Sequence, residues 1–144
     1  MKVETMLAAK GDKVVTARPD ATVETIIRML KLEGIGALVV SEDGEKILGI
    51  ISERDVVRAL VDHGGEVLKL RVAELMTHSV KTCTPDANIK DVMAEMTRSR
   101  VRHLPVVRDG KLCGIISIGD VVKNRLEEMS LEASVLRDIA IAGH

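Results

Sequence analysis

The sequence predicts a mixed α/β fold in which one small unit occurs twice. The first observation is an internal repeat that covers most of the 144 residues. The second is that each copy contains helix-spaced apolar positions followed by two short apolar runs, a pattern that indicates one helix and two strands. The third is a composition of 46% hydrophobic and 30% charged residues, which is typical of a soluble globular chain.

The repeat is carried by two pairs of matching segments. Residues 14–21 (VVTARPDA) align with residues 80–87 (VKTCTPDA), and residues 49–57 (GIISERDVV) align with residues 114–122 (GIISIGDVV). The first pair is offset by 85 − 19 = 66 residues and the second by 114 − 49 = 65 residues. One residue is therefore lost between the two segments, close to the Asp-Gly turn of each copy.

Each copy is predicted to run strand, helix, strand, strand, helix. The first helix follows Pro-Asp-Ala, with Thr22 or Asp20 as the N-cap in copy one and Asn88 in copy two. An Asp-Gly turn then joins two apolar strands, and a Ser-x-x-Asp sequence precedes the second helix. The predicted strands are residues 37–40, 47–51, 104–107 and 112–116, and the predicted second helices are residues 55–60 and 120–126.

These elements divide the chain into five predicted parts. Residues 12–62 and 78–126 are the two copies, residues 1–11 are a helical lead-in, and residues 63–77 are a linker with a short helix. Residues 127–144 form an amphipathic helix that is expected to pack on this module or on a partner subunit. Because one copy is too small to bury both faces of its sheet, the two sheets are expected to pack together and complete a core.

The composition argues against several classes of partner. The chain contains no Phe, Tyr or Trp, so a planar ligand must lie between aliphatic side chains and backbone. Nucleic acid is not an expected partner, because single strands usually stack on aromatic side chains and the net charge of −1 gives no broadly basic surface. No membrane partner is expected, because the sequence has no apolar run of roughly 20 residues and its N-terminus does not resemble a secretory signal.

The sequence also gives no indication of catalysis. Cys83 and Cys113 have no metal-ligand spacing and form no Cys-x-x-Cys motif, so they are expected to be reduced, buried thiols of a cytoplasmic protein. No P-loop, nucleophile elbow or metal-binding motif is present. We therefore predict no catalytic residue, no metal and no catalytic cofactor.

Three features of the chain together resemble CBS domains, which are named after cystathionine β-synthase, where such pairs are regulatory. They are the repeated Pro-Asp-Ala before an apolar helix, the run RHLPVV at residues 102–107, and the sequence GIIS-x-x-D that ends each second strand. The resemblance covers about residues 12–126. It implies a pair of CBS domains in a pseudo-twofold arrangement, each a small sheet with two helices, with two clefts between them and a C-terminal helix added.

The resemblance further implies that an adenine nucleotide lies in one or both clefts. The Ser and Asp of each Ser-x-x-Asp motif would contact ribose and phosphate, and the residues that precede the second strand would add a basic contact from the opposite domain. The threonines of the first strands, Thr16 and Thr82, would border the base. The residues assigned to ligand binding are Thr16, Gly36, Ala37, Ser52, Arg54, Asp55, Thr82, Arg102, His103, Pro105, Ser117 and Asp120.

Elementary chemistry supports these roles. An Asp at the first turn of a helix can accept two hydrogen bonds from a vicinal diol, and helix N–H groups with a Ser hydroxyl can face an anion. Arg102 can bind phosphate with two parallel hydrogen bonds, and Arg54 adds a second positive charge. The same Ser and Asp also fit ordinary capping boxes, and both roles hold together where a cap faces a cleft.

The two clefts are predicted to differ. Gly36 and Ala37 stand where copy two has Arg102 and His103. The cleft at the first Ser-x-x-Asp motif, which uses Arg102 and His103, is expected to hold phosphate better. In the other cleft, Gly36 removes a side chain, which disfavours phosphate there or leaves room for a larger ligand.

The leading hypothesis is a regulatory module that binds AMP, ATP or NAD(H) and passes a conformational or oligomeric change to an unknown effector protein. The resemblance also implies a homodimer that contains four CBS domains. One alternative is a ligand-free interaction or dimerisation module, which would be expected to lose the Ser-x-x-Asp residues. Another is a sensor of S-adenosylmethionine, against which Arg54 and Arg102 argue because that ligand is cationic at sulfur.

Overall fold

Two α/β units follow one another along the chain in the computed structural model, which describes residues 1–143. His144, the last residue of the predicted tail, lies outside the described residues. The elements in chain order are α1 (Val3–Lys10), β1 (Thr16–Ala17), α2 (Val23–Glu33), β2 (Ala37–Val40), β3 (Gly49–Ser52), α3 (Glu53–His63), a 3₁₀ helix (Gly64–Lys69), α4 (Val72–Leu75), α5 (Ile89–Ser99), β4 (His103–Arg108), β5 (Lys111–Ser117) and α6 (Ile118–Ala142).

The predicted order of strands and helices is confirmed in repeat one. Thr22 is the N-cap of α2, and its hydroxyl accepts a hydrogen bond from the Thr25 N–H at 3.3 Å. Strand β1 pairs in parallel with β2, and β2 pairs antiparallel with β3. Of the two predicted caps, Thr22 rather than Asp20 therefore begins the helix.

Repeat two has the same order with a shorter first strand. Asn88 caps α5 as predicted, since its side chain accepts from the Lys90 N–H at 2.9 Å. The predicted first strand is reduced to a single parallel bridge between Cys83 and Val106. Strands β4 and β5 form an antiparallel pair.

The two predicted hairpins differ in length. In repeat two, Asp109 and Gly110 both have positive φ, 53° and 78°, and form a two-residue turn between β4 and β5. In repeat one the loop spans residues 41–48, so β3 begins two residues later than predicted. The Asp43 side chain explains the difference, because its Oδ1 accepts from the N–H groups of Glu45 and Lys46, both at 2.9 Å, and holds a wider turn.

The two lead-in helices cross over and pack against the opposite repeats. In α1, the Val3 N–H donates to the Ala87 carbonyl at 2.9 Å, in repeat two. In α4, the Val72 N–H donates to the Ala21 carbonyl at 2.9 Å, in repeat one. Each helix therefore docks on the strand-to-helix connection of the repeat that it does not directly precede.

This crossover changes how the core is completed. We expected the two sheets to share one core, but within residues 1–143 no cluster of buried apolar side chains combines both repeats. Instead, Val3, Met6 and Leu7 of α1 enter the core of repeat two, and Val72 of α4 enters the core of repeat one. The small sheets are thus covered by helices and lead-in segments rather than by each other.

The predicted second helix of repeat two and the predicted tail helix are one continuous helix. Helix α6 runs for 25 residues from Ile118. Val121 and Asn124 of its first turns are buried, whereas residues 129–143 are all exposed. The tail therefore does not pack on its own chain. Within residues 1–143 no helix, α6 included, combines the length and apolar character that crossing a bilayer requires.

The cysteines differ from the prediction in one respect. Cys83 and Cys113 are free thiols, but both are half-buried rather than fully buried. Burial raises the pKa of the Cys83 thiol to about 11, with a further contribution from Cys113 nearby. Cys83 is therefore protonated and a poor nucleophile at neutral pH.

Gly49 lies where the crossed segment packs tightly against β3. A Cβ at Gly49 would lie 2.7 Å from Met76 Sδ and 2.9 Å from the Thr77 carbonyl oxygen. Replacing Gly49 by Ala is therefore expected to lower the free energy of unfolding by about 1–3 kcal/mol, as overpacking usually does. The measurement is urea denaturation followed by far-UV circular dichroism.

Gly65→Ala is the matched control, because a Cβ at Gly65 would meet nothing within 4 Å. This variant should unfold within about 0.5 kcal/mol of the wild type. Equal denaturation midpoints for Gly49→Ala and Gly65→Ala would contradict the close approach of the crossed segment to β3.

Candidate functional site

A cavity of about 310 Å³ lies between the two repeats, at the N-terminus of α3. This volume is at the lower end of the range for small-molecule sites. Repeat one contributes the start of β2 and the first turns of α3, and repeat two contributes the segment between α5 and β4. The lining residues are Gly36, Ala37, Ile50, Ser52, Glu53, Arg54, Asp55, Arg58, Thr77, Ser79, Val80, Lys81, Arg100, Val101, Arg102 and His103.

Ser52 and Asp55 are fixed by a capping box at the start of α3. The Ser52 hydroxyl accepts from the Asp55 N–H at 3.3 Å, and Asp55 Oδ2 accepts from the Ser52 N–H at 2.9 Å and from its hydroxyl at 3.0 Å. Within residues 1–143 no hydrogen bond uses Oδ1 of Asp55. The capping interpretation is confirmed, and one carboxylate oxygen is left to accept from a ligand at the cavity wall.

Positive charge predominates around this cavity. Five of its lining side chains are cationic and two are carboxylates, Glu53 and Asp55. None of the ion pairs within residues 1–143 involves any of the five cations, which are Arg54, Arg58, Lys81, Arg100 and Arg102. An anionic ligand would therefore meet charges that no side chain of the described chain already neutralises.

His103 lies at the junction of the two repeats, against Gly36. A Cβ at Gly36 would be 3.3 Å from the imidazole Cε1, so the glycine makes room for the ring. Burial lowers the pKa of His103, and the positive charge of Lys10 lowers it further. Asp120 and Glu53 oppose this shift only in part, so the imidazole is neutral at pH 7.

The second Ser-x-x-Asp motif has the same capping box but a different neighbour. Asp120 Oδ2 accepts from the Ser117 N–H and hydroxyl, both at 2.9 Å. Lys10 Nζ also donates to Asp120 Oδ2 at 2.6 Å and to the Ile115 carbonyl at 2.9 Å. The second motif is thus engaged by an ammonium group of the same chain.

The structure brings seven of the twelve predicted ligand-binding residues into the cavity. They are Gly36, Ala37, Ser52, Arg54, Asp55, Arg102 and His103. The other five do not line it: Thr16 pairs with Val39 in β1, Thr82 precedes the Cys83 bridge, Pro105 is buried in β4, and Ser117 and Asp120 belong to the second motif.

Several lining residues were missed by the sequence analysis. Thr77, Ser79 and Lys81 reach the cavity because the α4 segment crosses to repeat one, which no local pattern indicates. Arg58 could have been found, since it lies one helical turn after Arg54 and therefore on the same side of α3. Among the described residues, no group of three His, Cys, Asp or Glu side chains is placed to hold a metal ion.

A twice-repeated α/β unit with a cavity lined mainly by positive charge at the junction of the repeats defines a tandem-domain module. The CBS domain family model matches residues 10–62 and 72–127, so the chain belongs to the CBS domain family. CBS pairs are regulatory ligand-binding modules. The prediction made from the repeated motifs is thereby confirmed.

Solved structures and curated relatives agree with this assignment. A CBS-domain-containing protein of Agrobacterium tumefaciens is 41% identical with a TM-score of 0.84, and the match covers 87% of this chain and 99% of that chain. The mitochondrial CBS domain-containing protein CBSX3 of Arabidopsis thaliana is 37% identical over 113 residues, 76% of this chain, and this chain spans 55% of its length. The CBS domain pair of protein MJ0100, solved with 5′-methylthioadenosine and S-adenosyl-L-methionine, is 24% identical with a TM-score of 0.76, covering 85% of this chain and 98% of that chain.

Arg100 holds an unfavourable backbone conformation at the cavity wall. It ends α5 in the left-handed region with φ of 55°, whereas the equivalent position of repeat one is Gly34 with φ of 63°. A non-glycine residue in this region costs about 1–2 kcal/mol. Arg100 is thus a strained residue whose side chain faces the cavity.

Replacing Arg100 by Gly is expected to raise the free energy of unfolding by about 0.5–1 kcal/mol, because relief of strain exceeds the entropy that glycine adds to the unfolded chain. The matched control is Arg98→Gly, inside α5, which should lower it by about 1 kcal/mol. Both are measured by urea denaturation. If Arg100→Gly destabilises the protein as much as Arg98→Gly, the strain is not real.

Proposed function

We propose that this chain is a regulatory sensor that binds one adenine nucleotide in the cavity between its repeats. The observation that carries the proposal is the set of five cationic side chains around the cavity, none of which is neutralised by an ion pair within residues 1–143. A phosphate group would supply the missing negative charge. AMP, ATP and NAD(H) are the candidate ligands, and AMP is the first to be tested.

The parts of a nucleotide match the parts of the cavity. Arg102 and Arg54 offer guanidinium groups to phosphate, and the N-terminus of α3 offers its positive dipole end. Asp55 Oδ1 is available to accept from a ribose diol. Ile50, Val80 and Val101 provide the aliphatic surface on which a base can lie, since the chain has no aromatic side chain.

The charge distribution also ranks the ligands. S-adenosylmethionine carries a positive sulfur, so in this cavity it would lie among uncompensated cations. The MJ0100 pair, whose structure holds that ligand, shares the fold with this chain at 24% identity. The common chemistry is an adenosine group, and the lining charges favour the members of that class that carry phosphate.

We propose a signalling role and no catalysis. A ligand that touches both repeats favours the arrangement in which its two sets of contacts are made together, and a partner protein can respond to that arrangement. A ligand-free interaction module is the second candidate, supported by the exposed apolar faces of α3 and α6. A cytoplasmic location remains a prediction from the two free thiols.

We further propose that a second copy of the chain covers these apolar faces. In α6, Val122, Leu126, Met129 and Leu136 are 46–67% exposed. Together with Ala133 and Ala140 they recur at alternating spacings of four and three residues, which is the spacing of a coiled-coil seam. Helix α3 presents Val57 and Val61 at the positions equivalent to Val122 and Leu126, at an offset of 65 residues, so both repeats offer the same face. A face that is duplicated within one chain suits symmetric pairing with another copy.

Loss of a cavity arginine should weaken nucleotide binding without unfolding the protein. Arg102→Ala is expected to reduce the affinity for AMP about tenfold or more, because a charge-assisted contact to phosphate is lost. Arg98→Ala is the matched control, since Arg98 lies outside the cavity and pairs with Glu95, and its affinity should stay within about twofold. Calorimetric titration of nucleotide-free protein gives both values. The protein has no Trp or Tyr, so an absorbance scan also shows whether any nucleotide has been carried through purification.

Asp55→Ala tests the ribose contact in the same titration, with Asp120→Ala as its matched control at the second motif. We expect loss of AMP binding in the first variant and retained binding in the second. If folded, nucleotide-free wild-type protein binds none of AMP, ATP, NAD and NADH, the sensor proposal is wrong and the interaction module replaces it. Saturable binding of S-adenosylmethionine alone would contradict the ranking by charge.

The proposed dimer can be tested separately, by the effect of α6 substitutions on the mass of the protein in solution. Leu136→Glu places a charge in the seam of α6 and is expected to convert dimer into monomer in sedimentation or multi-angle light scattering. Leu131→Glu is the matched control, because Leu131 is equally exposed, 66% against 67%, and lies on the opposite side of α6. A wild-type monomer, or the same mass for both variants, would rule out this interface.

A further inference from the structure

Lys10 in the second cleft takes the place that the segment after α4 takes in the first. Helices α1 and α4 begin with equivalent hydrogen bonds, since Val3 to Ala87 matches Val72 to Ala21. Their backbones then differ, because α1 stays helical to Lys10 whereas α4 ends at Leu75 and the chain continues extended. Thr77 of this extended segment lines the open cavity.

The carbonyl groups of Ile50 and Ile115, which are equivalent in the two repeats, have different hydrogen-bond partners. In the open cavity, Ile50 and Thr77 exchange two backbone hydrogen bonds, of 3.0 and 2.9 Å, so the Ile50 carbonyl is already paired. The equivalent carbonyl in the second cleft belongs to Ile115, and it accepts from Lys10 Nζ at 2.9 Å. The lysine ammonium thus takes over a role that the backbone fills in the first cleft.

In the second cleft, the positive charge of Lys10 offsets the negative charge of Asp120. Burial alone would raise the pKa of the Asp120 carboxyl, but the hydrogen bonds from Lys10 and Ser117 outweigh it and lower that pKa. The side chains of Lys10 and Asp120 are only 34% and 25% exposed. The Lys10 ammonium therefore neutralises the Asp120 carboxylate through Oδ2, the oxygen that also accepts from Ser117, and no hydrogen bond within residues 1–143 uses Oδ1.

We propose that Lys10 closes the second cleft by holding its ammonium between the Asp120 carboxylate, whose charge it neutralises, and the Ile115 carbonyl, so that the chain carries one open nucleoside site instead of two. The inference rests on the proposed function, because it concerns the same kind of site in the other repeat. It also names the ligand class of the closed cleft. Gly119 and Gly36 stand there at the positions equivalent to Arg54 and Arg102, so an opened second cleft has fewer cations and suits a nucleoside such as adenosine better than a nucleotide.

The test is the number of ligands bound per chain in Lys10→Met compared with the wild type. Methionine keeps a flexible apolar stem and removes the ammonium. Calorimetric titrations use adenosine and AMP separately, on full-length protein whose far-UV spectrum and thermal midpoint have been checked. Lys13→Met is the matched control, because Lys13 is 78% exposed and pairs with Glu33 of repeat one.

We expect Lys10→Met to bind one more ligand per chain than the wild type, with adenosine giving the larger gain. Adding Asp120→Ala to Lys10→Met should remove the extra site, and Lys13→Met should behave as the wild type. The proposed function is judged on wild-type binding, whereas this inference is judged on the difference between the two proteins. A wild type that binds nothing together with a Lys10→Met that binds one ligand would therefore refute only the former.

An unchanged stoichiometry in folded Lys10→Met, whether zero or one, would overturn the inference and leave the Lys10 contact as a structural ion pair. A wild type that already binds two ligands per chain would overturn it as well. In that case the ammonium would be displaced too easily to close the cleft.

Discussion

The crossing of the two lead-in segments is the constraint on which the rest of this structure depends. Val3 and Val72 each donate a backbone hydrogen bond to the repeat that their own segment does not directly precede, and both side chains are fully buried there. Each small sheet thereby gains apolar cover that its own repeat does not provide. Because the chain must return across the junction after each lead-in, the end of α1 and the residues that follow α4 are carried into the clefts. The positions of Lys10 and Ser79 are consequences of that path.

Equivalent backbones with different side chains then give the two clefts different chemistry. The capping boxes of Ser52–Asp55 and Ser117–Asp120 are nearly identical, with corresponding distances that agree within 0.1 Å. Helix initiation alone explains why both are present, so the Ser-x-x-Asp motif cannot by itself identify the binding cleft. The two clefts differ in the charged side chains around each capping box, which helix capping does not require. One cleft has uncompensated arginines, and the other has a lysine that is already paired.

Features of the fold that depend on periodicity and on the internal repeat could be predicted from the sequence. The repeat offsets, the caps at Thr22 and Asn88, and the strands of both hairpins follow from local patterns and are present in the structure. The resemblance to CBS domains placed seven of the predicted site residues at one cavity, where the starts of β2 and β4 meet the N-terminus of α3. The crossover could not be predicted, since an apolar helical segment fits either repeat equally well and its choice is made by tertiary packing. Lys10, Ser79 and Lys81 depend on that choice, so their roles were not accessible from spacing.

Helix α3 carries residues of both the proposed nucleotide site and the proposed dimer surface. Arg54 and Arg58 lie one turn apart on the cavity side, while Val57 and Val61 form an adjacent stripe that is 61% and 83% exposed. A helix of 11 residues moves as a unit, so a ligand that shifts the backbone of α3 at the two arginines also moves the apolar stripe. Only repeat one has this combination, because the position equivalent to Arg54 in α6 is Gly119. The asymmetry between the clefts therefore makes α3, rather than α6, the element through which a bound anion can reach the proposed dimer surface.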